Sequence, residues 1–220
     1  MDDLNIHRYA WIKNQVSGTI LDVGCNDSSM WIHPGGKNTD VNQVTFFDCD
    51  KWEITWLLNP KFVQGDAHEL SKHFKEKSFV SVVLGDILEH VFDPYLVLSE
   101  AVKVASDKVV LTVPDEYNWN DSLRPFTPIS KYVKEIGSYK ALVEKDTLGT
   151  KSQFARCTGY EDEGRLHKHL YHVRQFSEDE IIKLLDSTGL SYEVCRIWYN
   201  FGPDDSSRGC NFAAVIKVDS

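Results

Sequence analysis

Two runs in the middle of the chain, FVSVVLGD at 79–86 and KVVLTVP at 108–114, are apolar at nearly every position. A strand with one wet face alternates apolar and polar residues. A strand that is apolar throughout must be covered on both faces, as in a parallel sheet held between layers of helix. Shorter strands are expected at TILDVG (19–24), VTFFD (44–48) and KFVQGD (61–66). Helix-like segments separate them. Residues 4–16 place Ile6, Tyr9, Ile12 and Val16 at helical spacing. DKWEITWLL opens at Asp50 as an N-cap, and in DPYLVLSEAVKVA Asp93 caps while Pro94 takes the first helical position. This alternation predicts an α/β, doubly wound, Rossmann-like sheet with helices on both faces and right-handed crossovers.

The end of the chain reads differently. SEDEIIKLLDSTGL is a helix capped by Ser177, with Glu180 completing a capping box and Gly189 as its stop. SYEVCRIWY and NFAAVIKV then form an antiparallel hairpin. Together with the five earlier strands this predicts a seven-stranded sheet whose last strand runs antiparallel. Residues 117–165 fit neither pattern and hold one amphipathic piece, ISKYVKEIGSYKALVEK. So long an excursion from a compact sheet is expected to be an inserted helical lid, an acceptor-binding cap or a partner surface within a single domain spanning 1–220. Tyr117, Trp119 and Tyr160 flank it, and RPFTP at 124–128 is stiffened by two prolines.

The composition narrows the function classes. Hydrophobic residues make up 42% of the 220 positions, enough for a full core, and the formal net charge is −9. That charge speaks against a broad nucleic-acid surface, which needs clustered Lys and Arg. No apolar run reaches about 18 residues, and the N-terminus lacks the basic and apolar regions of a signal peptide. The expected location is cytoplasmic, with no membrane partner. The five cysteines show no CxxC pair and are expected to be buried thiols.

Ligands of an open parallel sheet bind beyond the carboxyl ends of its strands. The residues there are Asp22 and Gly24, Asp48, Asp66, Gly85 and Asp86, then Pro114, Asp115 and Glu116. A pyrophosphate would want glycine amides and little negative charge. A rim of carboxylates suits a ligand with hydroxyls and a positive centre. The first loop, GCNDSS, lacks the GxGxxG of a dinucleotide site, which argues against a nicotinamide-dependent oxidoreductase. Asn26 can take the left-handed backbone conformation that a glycine would supply; Ser28 is expected to avoid it and cap the next helix.

In order along the chain, ILDVGCNDS, VTFFDCDKWEI, FVQGDAHEL, VVLGDILEHVFDP, VVLTVPDE and HKHLYHVRQFSEDEIIKLLDSTGL resemble the motifs of the class I S-adenosylmethionine-dependent methyltransferases, in particular their small-molecule branch. LGDILEHVFDP is the most specific of these segments. The resemblance implies S-adenosylmethionine as cofactor and S-adenosylhomocysteine as product. It implies that Gly24 lets backbone approach the methionine end, lined by Asp22, Cys25 and Asn26. Asp48 would accept from the ribose hydroxyls, with Asp50 as its rival. Asp66 and the Ala67 amide would meet adenine. Gly85 and Asp86 would flank the transferring methyl. The departure from the usual DxGCGxG is the Asn-Asp-Ser of the first loop.

A hydroxyl acceptor gains from a base that titrates near neutrality, so His90, His169 and His172 are the candidate catalytic residues. His167 and His169 also form a His-x-His, which can bind a divalent ion, but the acids such a site needs are not evident, and no metal is assigned. The expected activity is methyl transfer to a small-molecule hydroxyl, a sugar or related metabolite. The alternatives are a non-catalytic scaffold that keeps the fold and a methyltransferase with a protein substrate. The DNA amino-group class is excluded because LGDILEH stands where NPPY would hold a flipped base.

Overall fold

The computed structural model describes residues 6–91, 93–115, 161–162, 165–166, 176–200 and 208–218. Helix α1 (Ile6–Gln15) leads into β1 (Ile20–Val23), β2 (Val44–Asp48) and β3 (Lys61–Gln64). Then follow α2 (Leu70–His73), β4 (Phe79–Gly85), α3 (Pro94–Val104) and β5 (Ala105–Pro114). A two-stranded piece, β6 (Glu161–Asp162) with β7 (Arg165–Leu166), precedes α4 (Glu178–Asp186), β8 (Tyr192–Asn200) and β9 (Arg208–Lys217).

The main sheet has seven strands in the order β3-β2-β1-β4-β5-β9-β8. Pairings from β3 through β5 are parallel; β9 pairs antiparallel with both β5 and β8, so the last strand alone runs against the rest. This is the predicted architecture. Strand order reverses between β1 and β4, which opens a crevice beyond their tips.

The strand alternation sorts the core into two layers. Leu21, Val23, Phe47, Val82, Leu84, Val109 and Leu111 face one side, where α3 and α4 bring Val97, Leu98, Ala101, Ile181, Leu184 and Leu185. Ile20, Phe46, Val83 and Val110 face the other, under Ile12 and Val16 from the first helix and its end. Each fully buried aliphatic or aromatic side chain in these layers contributes roughly 1.5–3 kcal/mol. The caps behave as read from sequence. Asp93 accepts from the Leu96 N–H at 3.0 Å ahead of Pro94. Ser177 and Glu180 form the full capping box, and Gly189 turns the chain with a φ of 67°.

Three expectations fail. The helix expected from Asp50 is absent, and residues 49–60 cross as an irregular strap. Trp52, Ile54, Thr55 and Trp56 are poor helix formers. The strap gains more by burying Ile54 and setting Trp56 edge-on to Phe46, ring centroids 6.2 Å apart. After Ser28 comes only a 3-10 turn, Ser29–Trp31, not a helix for it to cap. Of the four described cysteines, Cys25 and Cys210 are buried but Cys49 and Cys195 are exposed. The expected lid at 117–165 lies outside the described residues except for β6 and Arg165. Among the described residues no helix is long and apolar enough to cross a membrane.

Candidate active site

The loop after β1 is built on a left-handed alternation. Gly24, Asn26 and Ser28 have φ of 73°, 49° and 60°, so every second residue bends the chain the way a glycine would. Ser28 thus adopts the conformation it was expected to avoid, and its side chain makes no cap hydrogen bond. The turn is pinned to the neighbouring strand. The Gly24 and Cys25 amides donate to the Phe47 carbonyl, at 2.8 and 3.2 Å, and the Asn26 N–H donates to Asp48 Oδ2 at 3.0 Å. A Cβ on Gly24 would fall 2.7 Å from Ile87 Cδ1, so the bare glycine lets the loop after β4 close against β1.

Asp48 ends β2. Its Oδ1 accepts from the Asp50 N–H at 3.0 Å, so both oxygens are held by backbone, with a lone pair on each still open. Asp22 is 3% exposed and accepts from Trp31 Nε1 at 2.7 Å. Burial pushes its carboxyl up to about 7; the Asp48 charge adds to this, while the Trp31 hydrogen bond and the Arg8 charge oppose it. Burial, then the charges of Asp22 and Asp48, also push the Cys25 thiol upward, which keeps it neutral.

On the far side of the crevice Asp86 stands just past β4, with φ 51°. Its Oδ1 accepts from Thr112 Oγ1 at 2.7 Å and Asn211 Nδ2 at 2.8 Å, and its Oδ2 is paired with Arg8 Nη1. Both carboxylate oxygens are engaged by protein. Gly85 beside it has no left-handed φ, and a Cβ there would meet only ordinary contacts, Ile12 Cδ1 at 3.6 Å and Val83 Cγ1 at 3.8 Å.

Beyond β3, Asp66 caps a short turn by accepting from the His68 N–H at 2.9 Å and pairs with His68 Nδ1 at 2.6 Å. Partial burial would raise its carboxyl, but the His68 contacts prevail and hold it below the usual range. His68 Nε2 accepts from the Asp93 N–H at 3.3 Å, which places the ring proton on Nδ1. Ala67 is the first residue of the turn, where an amide has no partner within the helix.

Asp22, Cys25, Asn26 and Asp48 are therefore brought together, with Gly85 and Asp86 across the crevice and Asp66 and Ala67 one strand further out. His90 ends the 3-10 turn Leu88–His90 after Asp86, its Nε2 3.8 Å from the buried Glu89 Oε1. His169 and His172 lie outside the described residues. Among the described residues no group of three or more His, Cys, Asp or Glu is placed to hold a metal ion. Sequence reasoning missed Arg8, Trp31, His68, Thr112 and Asn211. Only Thr112 and Asn211 carried a signal, as polar interruptions of apolar strands.

Residues 21–112 match the family described as a methyltransferase domain. That segment runs from β1 into β5 and carries the strand tips at Asp22, Asp48, Asp66 and Asp86, so the site lies in the part of the chain that is similar to a methyltransferase domain. Solved structures share the fold across both chains. The YcgJ protein of Bacillus subtilis is 12% identical, with a TM-score of 0.56 and coverage of 97% of this chain and 99% of that one. A SAM-dependent methyltransferase of Thermotoga maritima is 13% identical, at 0.52 with 97% and 92% coverage. One from Archaeoglobus fulgidus is 13% identical, at 0.52 with 97% and 91% coverage. No curated protein matches the sequence.

Proposed function

We propose that the chain transfers the methyl group of S-adenosylmethionine to a hydroxyl of a small acceptor, a sugar or related metabolite. The observation that carries the cofactor placement is the row of groups along the strand tips. Asp48 keeps open lone pairs for two ribose hydroxyls, and Ala67 offers an amide at the adenine position. Gly85 is a glycine that packing does not require, as expected where a ligand approaches the backbone. The donor set thus fits a cofactor bearing hydroxyls and positive centres.

When bound, the cofactor supplies a methyl on a sulfonium, a good leaving group. The protein's part is to align the acceptor and take its proton. His90 is the described candidate for that base, being partly exposed and four residues past Asp86; His169 and His172 complete the proposed set. The chain is read as one domain with 117–165 as its acceptor-binding insertion. A protein acceptor is the second reading, since acceptor recognition is assigned to that insertion.

The test is calorimetric titration of S-adenosylhomocysteine into the wild-type protein and Asp48→Ala. Micromolar binding that the substitution weakens by roughly 1–3 kcal/mol supports the ribose contact. Asp48→Asn, which can still accept from Asn26, separates that contact from loop disorder. Wild-type protein that does not bind would overturn the placement. Methyl transfer to sugar hydroxyls, lost in His90→Ala with cofactor binding intact, would support the acceptor class.

A further inference from the structure

We propose that Arg8 is the residue that binds the carboxylate of the cofactor's amino-acid end, presented to it by Asp86. This rests on the cofactor placement proposed above. The ligand chemistry poses the problem. The cofactor's sulfonium and ammonium suit a rim of acids, but its carboxylate would sit among Asp22, Asp48 and Asp86 and be repelled unless a cation faces it.

Two other cations of the described residues, Arg196 and Lys13, are held by groups outside the strand-tip acids. Arg196 is bonded to Asp115 at 3.0 Å and Glu178 at 2.7 Å. The Lys13 ammonium donates to the His33 carbonyl at 2.5 Å. Arg8 comes from α1, before the motifs that read as a cofactor site, and reaches the tip of β4. Its side chain is 13% exposed, and its guanidinium carbon lies 5.0 Å from the centre of the Tyr9 ring.

The hydrogen bonding is asymmetric. Nη1 pairs with Asp86 Oδ2, while Nε is buried and has no hydrogen-bond partner among the described residues. A guanidinium binds carboxylates along two edges, and the edge containing Nε is a two-pronged fork that matches a carboxylate. Buried donors in native proteins almost always have an acceptor, so an orphaned one points to a partner that arrives. The support behind Arg8 has the right form. Thr112 and Asn211 fix Asp86 through Oδ1, and Asp86 fixes the guanidinium through Oδ2. Asp86 is then a positioning residue and not a contact to the transferring methyl.

A carboxylate on the acceptor is the other source of the same chemistry, and the experiment separates the two. Full-length protein and Arg8→Gln are titrated with S-adenosylhomocysteine and with its decarboxylated analogue, 5′-(3-aminopropylthio)-5′-deoxyadenosine. The wild type is expected to prefer the carboxylate-bearing probe by roughly 10- to 100-fold. Arg8→Gln should lose that preference, with little change for the analogue. Arg8→Lys keeps a charge beside Asp86 but has no fork, and should lose most of the preference while melting near the wild type. Equal weakening of both probes, or an unchanged preference in the variants, overturns the assignment, and the latter returns Arg8 to the acceptor. Wild-type protein that binds neither probe overturns the cofactor placement, and the assignment falls with it.

Discussion

The backbone N–H of Asn26 donates to Asp48 Oδ2 at 3.0 Å, so the acid that ends β2 holds the turn that ends β1. Two features that a sequence reading treats as separate contacts are mechanically one. The carboxylate sets the loop's shape before any ligand arrives, and the left-handed residues on either side let the loop reach it.

That loop contains a correctable strain. Ser28 sits at φ 60°, where an L-residue with a Cβ is disfavoured by roughly 1–2 kcal/mol. Ser28→Gly should raise the melting temperature by about 2–4 °C, since about 1 kcal/mol moves a domain of this size by that much. Cofactor affinity should be unchanged. Thermal denaturation checks it, and a lower melting temperature would mean that the buried hydroxyl matters more than the backbone.

Gly24 and Gly85 should answer the same substitution in opposite ways. Gly24→Ala meets both a φ of 73° and Ile87 Cδ1 at 2.7 Å, so it should destabilise by roughly 1–3 kcal/mol. In an Ile87→Ala background the penalty should shrink but not vanish, because the backbone strain remains. Gly85→Ala meets contacts no closer than 3.6 Å and should leave the melting temperature unchanged or slightly higher. Its effect should fall on S-adenosylhomocysteine affinity, by about tenfold or more. If binding survives Gly85→Ala intact, the backbone of β4 does not line the cofactor site.

The parts of the fold that were readable from sequence are those where burial is written position by position. The runs at 79–86 and 108–114 announced two covered faces, and the structure fills both with separate layers. The acids at the strand tips were readable because strand ends are. The strap at 49–60 was not, because its apolar spacing suits a helix while its weak helix propensity and the packing of Ile54 and Trp56 decide otherwise. Arg8 was not readable at all. Nothing in a helix pattern says that one of its polar residues will reach across to a carboxylate 78 positions on. Side-chain networks of that kind are set by the tertiary arrangement alone.

The Ser177 capping box is a control for stability without function. Ser177 accepts from the Glu180 N–H at 3.3 Å, and Glu180 Oε2 accepts from the Ser177 N–H at 2.8 Å. Ser177→Ala should cost about 1 kcal/mol, measured by urea denaturation. The helix it starts carries Ile181, Leu184 and Leu185 into the core but supplies no proposed cofactor contact. Affinity for S-adenosylhomocysteine should therefore stay at the wild-type level, and a drop would tie α4 to the site.

Asp22 makes stability depend on pH in a direction opposite to most carboxylates. Burial raises its carboxyl from the ordinary 3.8 to about 7. Below pH 4 it is protonated in both folded and unfolded chains. Between there and neutrality the unfolded chain releases the proton while the folded chain keeps it, so its contribution to stability is lost as pH rises through about 7. Such a shift corresponds to at most about 4 kcal/mol. Asp22→Asn removes the titration and keeps an oxygen to accept from Trp31 Nε1. The melting temperature of the variant relative to wild type should therefore climb between pH 5 and pH 8.5. A difference that stays flat across that range would show that Asp22 does not titrate there. The same substitution should weaken binding of the cationic cofactor at pH 8, where the wild-type carboxylate is charged, more than at pH 6.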